Sequence, residues 1–253
     1  MAERADDDVE AGVLAWRHGA QAAVCDVVAP WAHGTVLRAT RFPDYFDFNA
    51  VRVEEPPDMG VDELIALADH ELGAVAHRRV DFDRAEDAAP YEVEFAARGW
   101  MVMRLLWLRL ESPPPPPPDL AVDEVPYDEV GDLRVRWHRE DFPDVDPTGF
   151  QAQAREVAMR RGVQVLAVRE DGRPVSYAQL ERDGDGVEVT SVYVHPDRRG
   201  GGRGTAMTLA AIAAAGDARD VWISADDDDR PKELYQRLGF RPVTRAIQFL
   251  RLP

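Results

Sequence analysis

Residues 192–205 read VYVHPDRRGGGRGT, and this stretch decides how the rest of the sequence is interpreted. It predicts an apolar strand, a proline turn, a loop of arginines and glycines, and the start of an Ala-rich helix. Glycine lets a ligand approach the main chain because it has no Cβ. The first turn of a helix adds unpaired N–H donors and the positive end of the helix dipole. The stretch therefore predicts a binding site for a phosphate or pyrophosphate.

Two familiar phosphate loops do not fit this stretch. A nucleoside-triphosphate loop ends in Gly-Lys-Ser/Thr, which is missing here. A dinucleotide fold places its glycines after the first strand, whereas here only about fifty residues follow the loop. The loop resembles the acetyl-CoA pyrophosphate loop of the GCN5-related N-acetyltransferase (GNAT) family, Arg/Gln-x-x-Gly-x-Gly/Ala, matched by Arg199, Gly202 and Gly204. The alternative is a glycine-rich turn between strand and helix.

A second motif strengthens the resemblance. Residues 234–240 read LYQRLGF, after a strand that begins near Trp222 and a helix opened by Pro231 and closed by Gly239. In the GNAT family a Leu-Tyr-x-x-Leu-Gly-Phe helix follows the fifth strand, and its tyrosine points at the CoA sulfur. The resemblance thus implies that Tyr235 lies beside the thioester.

The order of elements predicts the fold class and the domains. Six consecutive prolines, residues 113–118, form a stiff linker between residues 1–112 and 119–253. After the linker we predict strands over residues 120–125, 163–169, 174–182, 187–194 and 219–225, helices over 127–141, 150–161 and 204–215 and around Tyr235, and a final hairpin over 242–252. In the 204–215 helix the predicted apolar face carries Ala206, Leu209, Ala210 and Ala213. We therefore expect an α/β (α+β) protein of two GNAT-like domains, each with a mixed, mostly antiparallel central sheet flanked by helices.

The first half resembles a degenerate copy of the second. Its residues 95–110 repeat the helix-to-strand pattern of residues 235–252, and a helix is predicted over 61–73. The loop before that helix, residues 54–60, carries carboxylates where the second half has arginines and glycines. Such a loop would repel a pyrophosphate. We expect a monomer with pseudo-twofold tandem domains, with residues 119–253 as the catalytic domain.

Composition excludes several classes of function. The 47 acidic against 30 basic residues give a formal charge of −17, which argues against nucleic-acid binding and favours an amine substrate. No apolar run has the roughly 18 residues of a membrane helix, and the acidic N-terminus does not resemble a secretory signal. The single cysteine, Cys25, is expected to be a small buried side chain. The sequence thus predicts a cytoplasmic protein with no membrane partner, and no spacing typical of metal sites appears.

The resemblance also implies a mechanism and its residues. Acetyl-CoA is the co-substrate, Tyr235 the general acid and Glu188 the general base, with a water chain as the alternative base. An aspartate, Asp228, stands where relatives often bond the pantetheine through an asparagine. The expected cofactor-binding residues are Val192, Tyr193, Val194, Arg199, Gly200, Gly201, Gly202, Arg203, Gly204, Thr205, Asp228 and Tyr235. The expected acceptor-binding residues are Trp137, Asp141, Tyr177 and Ser191.

The sequence predicts one main function and leaves two alternatives open. The main prediction is an acetyl-CoA-dependent N-acetyltransferase that acetylates the primary amine of a small molecule by direct attack. The alternatives are a non-catalytic acyl-CoA sensor and an acetyltransferase that acts on protein amines.

Overall fold

The computed structural model describes residues 2–253, apart from the side chains of residues 2–6. In chain order its helices are α1 (Ala2–Ala22), α2 (Val61–Glu71), α3 (Ala85–Ala88), α4 (Glu92–Ala97), α5 (Gly131–Asp141), α6 (Pro147–Arg161), α7 (Arg203–Ala215) and α8 (Pro231–Arg237). Its strands are β1 (Val27–Trp31), β2 (Gly34–Arg38), β3 (Ala50–Val53), β4 (Arg78–Phe82), β5 (Met101–Leu110), β6 (Asp123–Glu124), β7 (Gln164–Glu170), β8 (Arg173–Asp183), β9 (Gly186–Val194), β10 (Asp220–Asp226) and β11 (Phe240–Arg251). This is the mixed α/β class that the sequence predicts.

Two compact units make up the described chain. The first comprises the residues up to Trp107 together with 225–229 and 243–253, and the second comprises residues 108–224 and 230–242. No helix among the described residues is long and apolar enough to cross a membrane.

In the first unit the strand order is β1-β2-β3-β4-β11-β5. Strands β1, β2 and β3 pair antiparallel in turn, β3 and β4 pair parallel, and β11 pairs antiparallel with β4. Helix α2 connects the parallel pair and buries Leu64 and Ala68 against a core that includes Phe82, Phe95 and Phe249.

In the second unit the strand order is β5-β10-β9-β8-β7-β6. Strands β6 to β9 are antiparallel neighbours, and β9 pairs parallel with β10. Side chains alternate between the two faces of a strand. On β8, Gln179 receives a hydrogen bond from Arg134 of α5, whereas Arg182 donates to carbonyls at the end of α7. Helix α5 therefore covers one face of the sheet and α7 the other.

The two units repeat one topological motif. In each, a parallel strand pair is joined by a helix: β3–α2–β4 in the first and β9–α7–β10 in the second. The two units thus share one local topology, and the interpretation of the first as a degenerate copy stays a prediction.

Some predicted elements are wrong in detail. Residues 242–252 form no hairpin, because β11 is one strand of twelve residues whose second part pairs with β4, and Pro242 is tolerated near a strand start. The strand over 120–125 shrinks to Asp123–Glu124, and Pro126 lies two residues beyond its end. The helix over 127–141 is a 3-10 turn (Tyr127–Val130) followed by α5, and α6 begins at Pro147, where Asp146 caps it. On α7 the predicted apolar face is only partly correct, since Ala206 and Leu209 are buried but Ala213 is exposed.

The six prolines belong to the second unit. Four of them, with Leu120 and Val122, line a shallow groove of about 290 Å³ along α7. The proline linker therefore lies against α7, a helix of the domain that follows the linker in sequence.

Candidate active site

The strand β9 changes its pairing at one residue. On one side, Tyr177 of β8 pairs with Tyr193 and Gln179 with Thr190, so Ala178 is opposed by both Ser191 and Val192. This is a β-bulge, and Ser191 accordingly has a φ of 53°. On the other side, the pairing with β10 ends at Val189 and Ile223 within the described residues. Among the described residues, therefore, no strand pairs with the main-chain groups of residues 190–194 that face away from β8.

The glycine loop lies between this strand end and α7. Gly200 and Gly202 have φ values of 85° and 74°, a backbone conformation that favours glycine. Gly202 is the N-cap residue of α7 and offers no side-chain cap, and no acidic residue lies in the first turn. The first intrahelical bond at this end runs from the Ala206 amide to the Gly202 carbonyl. The amides of residues 203–205 therefore remain donors for a ligand.

The tyrosine helix α8 lies next to this loop. A Cβ on Gly204 would stand 3.6 Å from Leu234 and 3.9 Å from Val194, so the loop, α8 and the end of β9 meet at this glycine. Tyr235, the next residue of α8, is only 5% exposed, and its ring packs edge-on against Phe240. The motif tyrosine is thus a buried neighbour of the loop, and its role as the acid stays a prediction.

The loop arginines are already paired with carboxylates. Arg199 donates to Glu140 of α5 at 2.8 Å and to the Val194 carbonyl at 3.2 Å. Arg198 and Arg203 both pair with Glu170 at the end of β7. Sequence patterns did not predict that these two glutamates pair with the loop, because they lie 59 and 33 residues from Arg199 and Arg203. A diphosphate at this loop would have to compete with both carboxylates.

Glu140 also receives a hydrogen bond from the Tyr193 hydroxyl at 2.6 Å. Partial burial acts to raise the pKa of Glu140, but the hydrogen bonds from Tyr193 and Arg199 outweigh it and lower the pKa below its usual range. Burial and the same carboxylate raise the pKa of Tyr193. The pair at neutral pH is therefore an ionised glutamate and a protonated phenol.

The predicted acceptor residues do not all reach one place. Tyr177 is completely buried and Trp137 partly buried in the core beneath α5, while Asp141 is exposed at the end of α5. Ser191 forms the bulge. The predicted base Glu188 is half-buried on β9 and lies within the stretch still paired with β10, opposite Trp222.

Asp228 has a partner of its own. It belongs to the first unit and accepts a hydrogen bond from Arg104 at 3.0 Å. Its predicted contact with pantetheine stays a prediction.

The equivalent place in the first unit is closed to an anion. Strands β3 and β4 remain paired to the end, since Val53 pairs with Phe82 and the Asp83 amide donates to the Val53 carbonyl. At the start of α2, Glu63 accepts from the Gly60 amide, and carboxylates occupy the first turn. The start of α2 therefore differs from that of α7 in its charge, since carboxylates lie where the second unit has arginines, and Glu63 already binds the Gly60 amide.

A cysteine nucleophile and a metal site are two further chemical possibilities. Cys25 is half-buried in the first unit, and burial, aided by Asp26, raises its pKa to about 12, so it is not a nucleophile at neutral pH. No group of three or more potential metal ligands occurs among the described residues.

The second unit fits acetyl-CoA in three respects. It offers free amides at the start of α7, glycines that leave room beside them, and an unpaired edge on β9 for an extended arm. The carboxylates on the arginines oppose an anion, although they also hold the loop in an ordered conformation. The residues present therefore fit the group.

Comparisons with known proteins point the same way. Residues 161–242 match the family model described as an acetyltransferase (GNAT) domain. A stretch of 94 residues is 46% identical to mycothiol acetyltransferase from Streptomyces griseus, covering 36% of this chain and 30% of that protein. This chain thus matches less than a third of that relative's length.

Solved structures share the fold at low identity. A functionally unknown conserved protein from Staphylococcus epidermidis covers 90% of this chain and 94% of its own, with a TM-score of 0.69 and 14% identity. A tandem GNAT protein from the clavulanic acid biosynthesis pathway covers 79% of this chain and 74% of its own, with a TM-score of 0.51 and 18% identity. At these identities the likeness concerns the fold alone.

Proposed function

This chain belongs to the GNAT acetyltransferase family through its residues 161–242, and on that premise we propose that it transfers the acetyl group of acetyl-CoA to the primary amine of a small molecule. The observation that carries the proposal is that the pairing between β9 and β10 ends beside the start of α7, which has no side-chain cap. An unpaired strand edge and a helix N-terminus together suit a long ligand with an anionic end.

The loop would hold the diphosphate. Amides of residues 203–205 supply oriented donors, and Arg199 and Arg203 supply charge once they leave Glu140 and Glu170. The unpaired amides of residues 190–194 suit the pantetheine arm and the thioester oxygen, on which negative charge grows during the reaction.

The reaction is a direct displacement. The amine nitrogen bonds to the acetyl carbon, the bond from that carbon to the CoA sulfur breaks, one proton leaves the amine, and one proton joins the thiolate. In the proposed scheme Glu188, directly or through water, takes the first proton, and Tyr235 delivers the second. Close placement of amine and thioester contributes much of the rate.

One observation favours the second candidate, a non-catalytic acyl-CoA-binding module. The buried Tyr235 ring packs like a structural aromatic, and an acid must reach the sulfur. Binding and turnover therefore have to be measured separately.

The test combines calorimetry with CoA and a thiol-release assay over a panel of amines. The proposal expects CoA binding, turnover with at least one amine, and a Tyr235→Phe rate lower by about 10²-fold or more. CoA binding without any turnover would support the binding module. No CoA binding at all would refute both.

A further inference from the structure

Helix α5 buries an arginine that has no carboxylate partner. Arg134 is 2% exposed, and its guanidinium donates to the Gln179 side-chain oxygen at 3.1 Å and lies over the Tyr127 ring at 5.0 Å. Among the described residues no carboxylate lies within ion-pair distance of it. By contrast, each of the buried arginines Arg17 and Arg79 in the first unit pairs with two carboxylates.

The groups around Arg134 are neutral, and several of their hydrogen-bonding atoms are poorly paired. The hydroxyls of Tyr127 and Tyr177, the Gln179 side-chain nitrogen and the Arg134 Nε atom are all buried without a well-aligned hydrogen bond. The guanidinium lies close enough to the Tyr177 phenol to act on its pKa. A buried positive charge surrounded by unused donors is costly unless an anion compensates it.

This donor cluster, defined as Tyr127, Arg134, Tyr177 and Gln179, lies beside the gap in the sheet. Gln179 pairs with Thr190, the first β9 residue beyond the last β9–β10 pair, and the Thr190 hydroxyl is also buried and unpartnered. Neighbouring strands are about 5 Å apart. The cluster is therefore roughly one strand spacing from the place proposed for the thioester.

We propose that the donor cluster binds a carboxylate of the acceptor, so that the acceptor is a small zwitterion carrying both an amine and a carboxylate, as an amino acid does. The inference rests on the proposed function and adds the substrate class. A guanidinium fork matches a planar carboxylate, and one cation balances its single charge. All four side chains are buried in this structure, so the acceptor reaches them only if α5 shifts away from the sheet.

The experiment compares matched acceptors in the thiol-release assay. Each α-amino acid of a panel is paired with its decarboxylated amine, for example phenylalanine with phenethylamine. We expect at least one amino acid to exceed its amine more than tenfold in kcat/KM. In Arg134→Gln this preference falls at least tenfold, mainly through KM, whereas Arg136→Gln, an exposed arginine on the same helix, keeps it.

Further variants separate binding from folding. Arg134→Lys keeps the charge but not the fork and should retain part of the preference, and Tyr177→Phe should weaken it without unfolding. The Tm of Arg134→Gln without ligand should be unchanged or higher, because an uncompensated buried charge has been removed. A large fall in its Tm, with the preference kept in Arg134→Lys and Tyr177→Phe, would overturn the inference in favour of a structural arginine.

The outcomes that overturn the carboxylate site differ from the outcome that overturns the proposed function. Turnover that is equal or faster with amines lacking a carboxylate, or CoA binding with no turnover and no Tm shift from any amino acid, overturns the carboxylate site. A preference for aminoalkyl phosphates over amino acids would also overturn it. Absence of CoA binding would instead remove the acetyltransferase proposal itself.

Discussion

Individual residues of the loop carry two opposed electrostatic effects. The free amides of residues 203–205 attract an anion, while Glu140 and Glu170 already neutralise the arginines beside them. Hydrogen bonds from Arg203, the largest cause, lower the pKa of Glu170, so this carboxylate is ionised at neutral pH. Diphosphate binding at the loop is therefore an exchange of anions rather than a simple addition.

Replacing Glu170 tests this exchange. Glu170→Gln removes the competing charge from Arg198 and Arg203, and we expect CoA to bind several-fold more tightly, with a steeper loss of affinity at high salt. Calorimetry at two salt concentrations measures both effects. Asp171→Asn, an equal change of charge at the next position, should leave the affinity within about twofold. Weaker binding in Glu170→Gln would show that the carboxylate mainly orders the loop.

At the scale of elements, the bulge of β9 separates the strand from its neighbour. In the part of the chain that the structure describes, the strand pairs on both sides as far as Val189 and only with β8 afterwards. Ser191 makes this possible by adopting a φ of 53°, which costs most non-glycine residues about 1–2 kcal/mol. The opened edge and the glycine loop follow one another directly in sequence.

Substitutions at Ser191 test the bulge. Ser191→Gly should keep stability and CoA binding, because glycine adopts this conformation freely. Ser191→Val should lower the free energy of unfolding by about 2 kcal/mol or more and weaken CoA binding, since a β-branched side chain resists a positive φ. Urea unfolding and calorimetry on both variants measure the difference. Equal behaviour of the two variants would contradict a role for the bulge conformation.

At the scale of the whole molecule, residues from before and after the proline linker contribute to the core of the first unit. Ile247 and Phe249 of β11 belong to the first unit, where Phe249 stacks on Phe95 at 4.1 Å and meets Phe82 edge-on. The first unit therefore depends on the last strand of the sequence, even though most of its residues precede the prolines.

Truncating Phe249 tests this dependence. Phe249→Ala should destabilise the first unit by about 3–5 kcal/mol, because the ring is fully buried. Hydrogen exchange of amides in β3 and β4 reports on that unit specifically. Val93→Ala, at a side chain that is 78% exposed, should change stability by less than about 0.5 kcal/mol. Unchanged protection in Phe249→Ala would contradict the shared core.

The stability of the first unit should also depend on pH through His77. Burial, the largest cause, lowers its pKa to about 4 from the ordinary 6.5, and the ring lies 3.2 Å from the Asn49 carbonyl. Above pH 6.5 the His77 ring is neutral in both the folded and the unfolded chain. As the pH falls below 6.5, this ring is protonated in the unfolded chain before it is protonated in the folded chain. Stability therefore falls by about 3 kcal/mol as the pH drops from 6.5 to 4.

Denaturant unfolding across this pH range measures the effect. His77→Gln should flatten the slope, whereas His70→Gln, at an exposed side chain, should keep it. An identical slope in wild type and His77→Gln would assign the acid sensitivity to other groups.

Short-range patterns were enough to predict much of this protein. Glycines with positive φ, a strand before them and a helix after them are local properties, so the loop, α7, α8 and most of the order of elements along the second half follow from neighbouring residues. The continuous strand β11 was missed, because its pairing with β4 joins residues more than 160 positions apart.

Tertiary structure alone decided the charge environment of the site. Glu140 and Glu170 reach the loop arginines only after α5 and β7 are packed in place, and Arg134 shows no sign in the sequence of being buried among unused donors. Backbone conformation depends on adjacent residues and can be inferred from motifs. Burial and ion pairing depend on residues far apart in the chain, and only the folded molecule brings them within reach of one another.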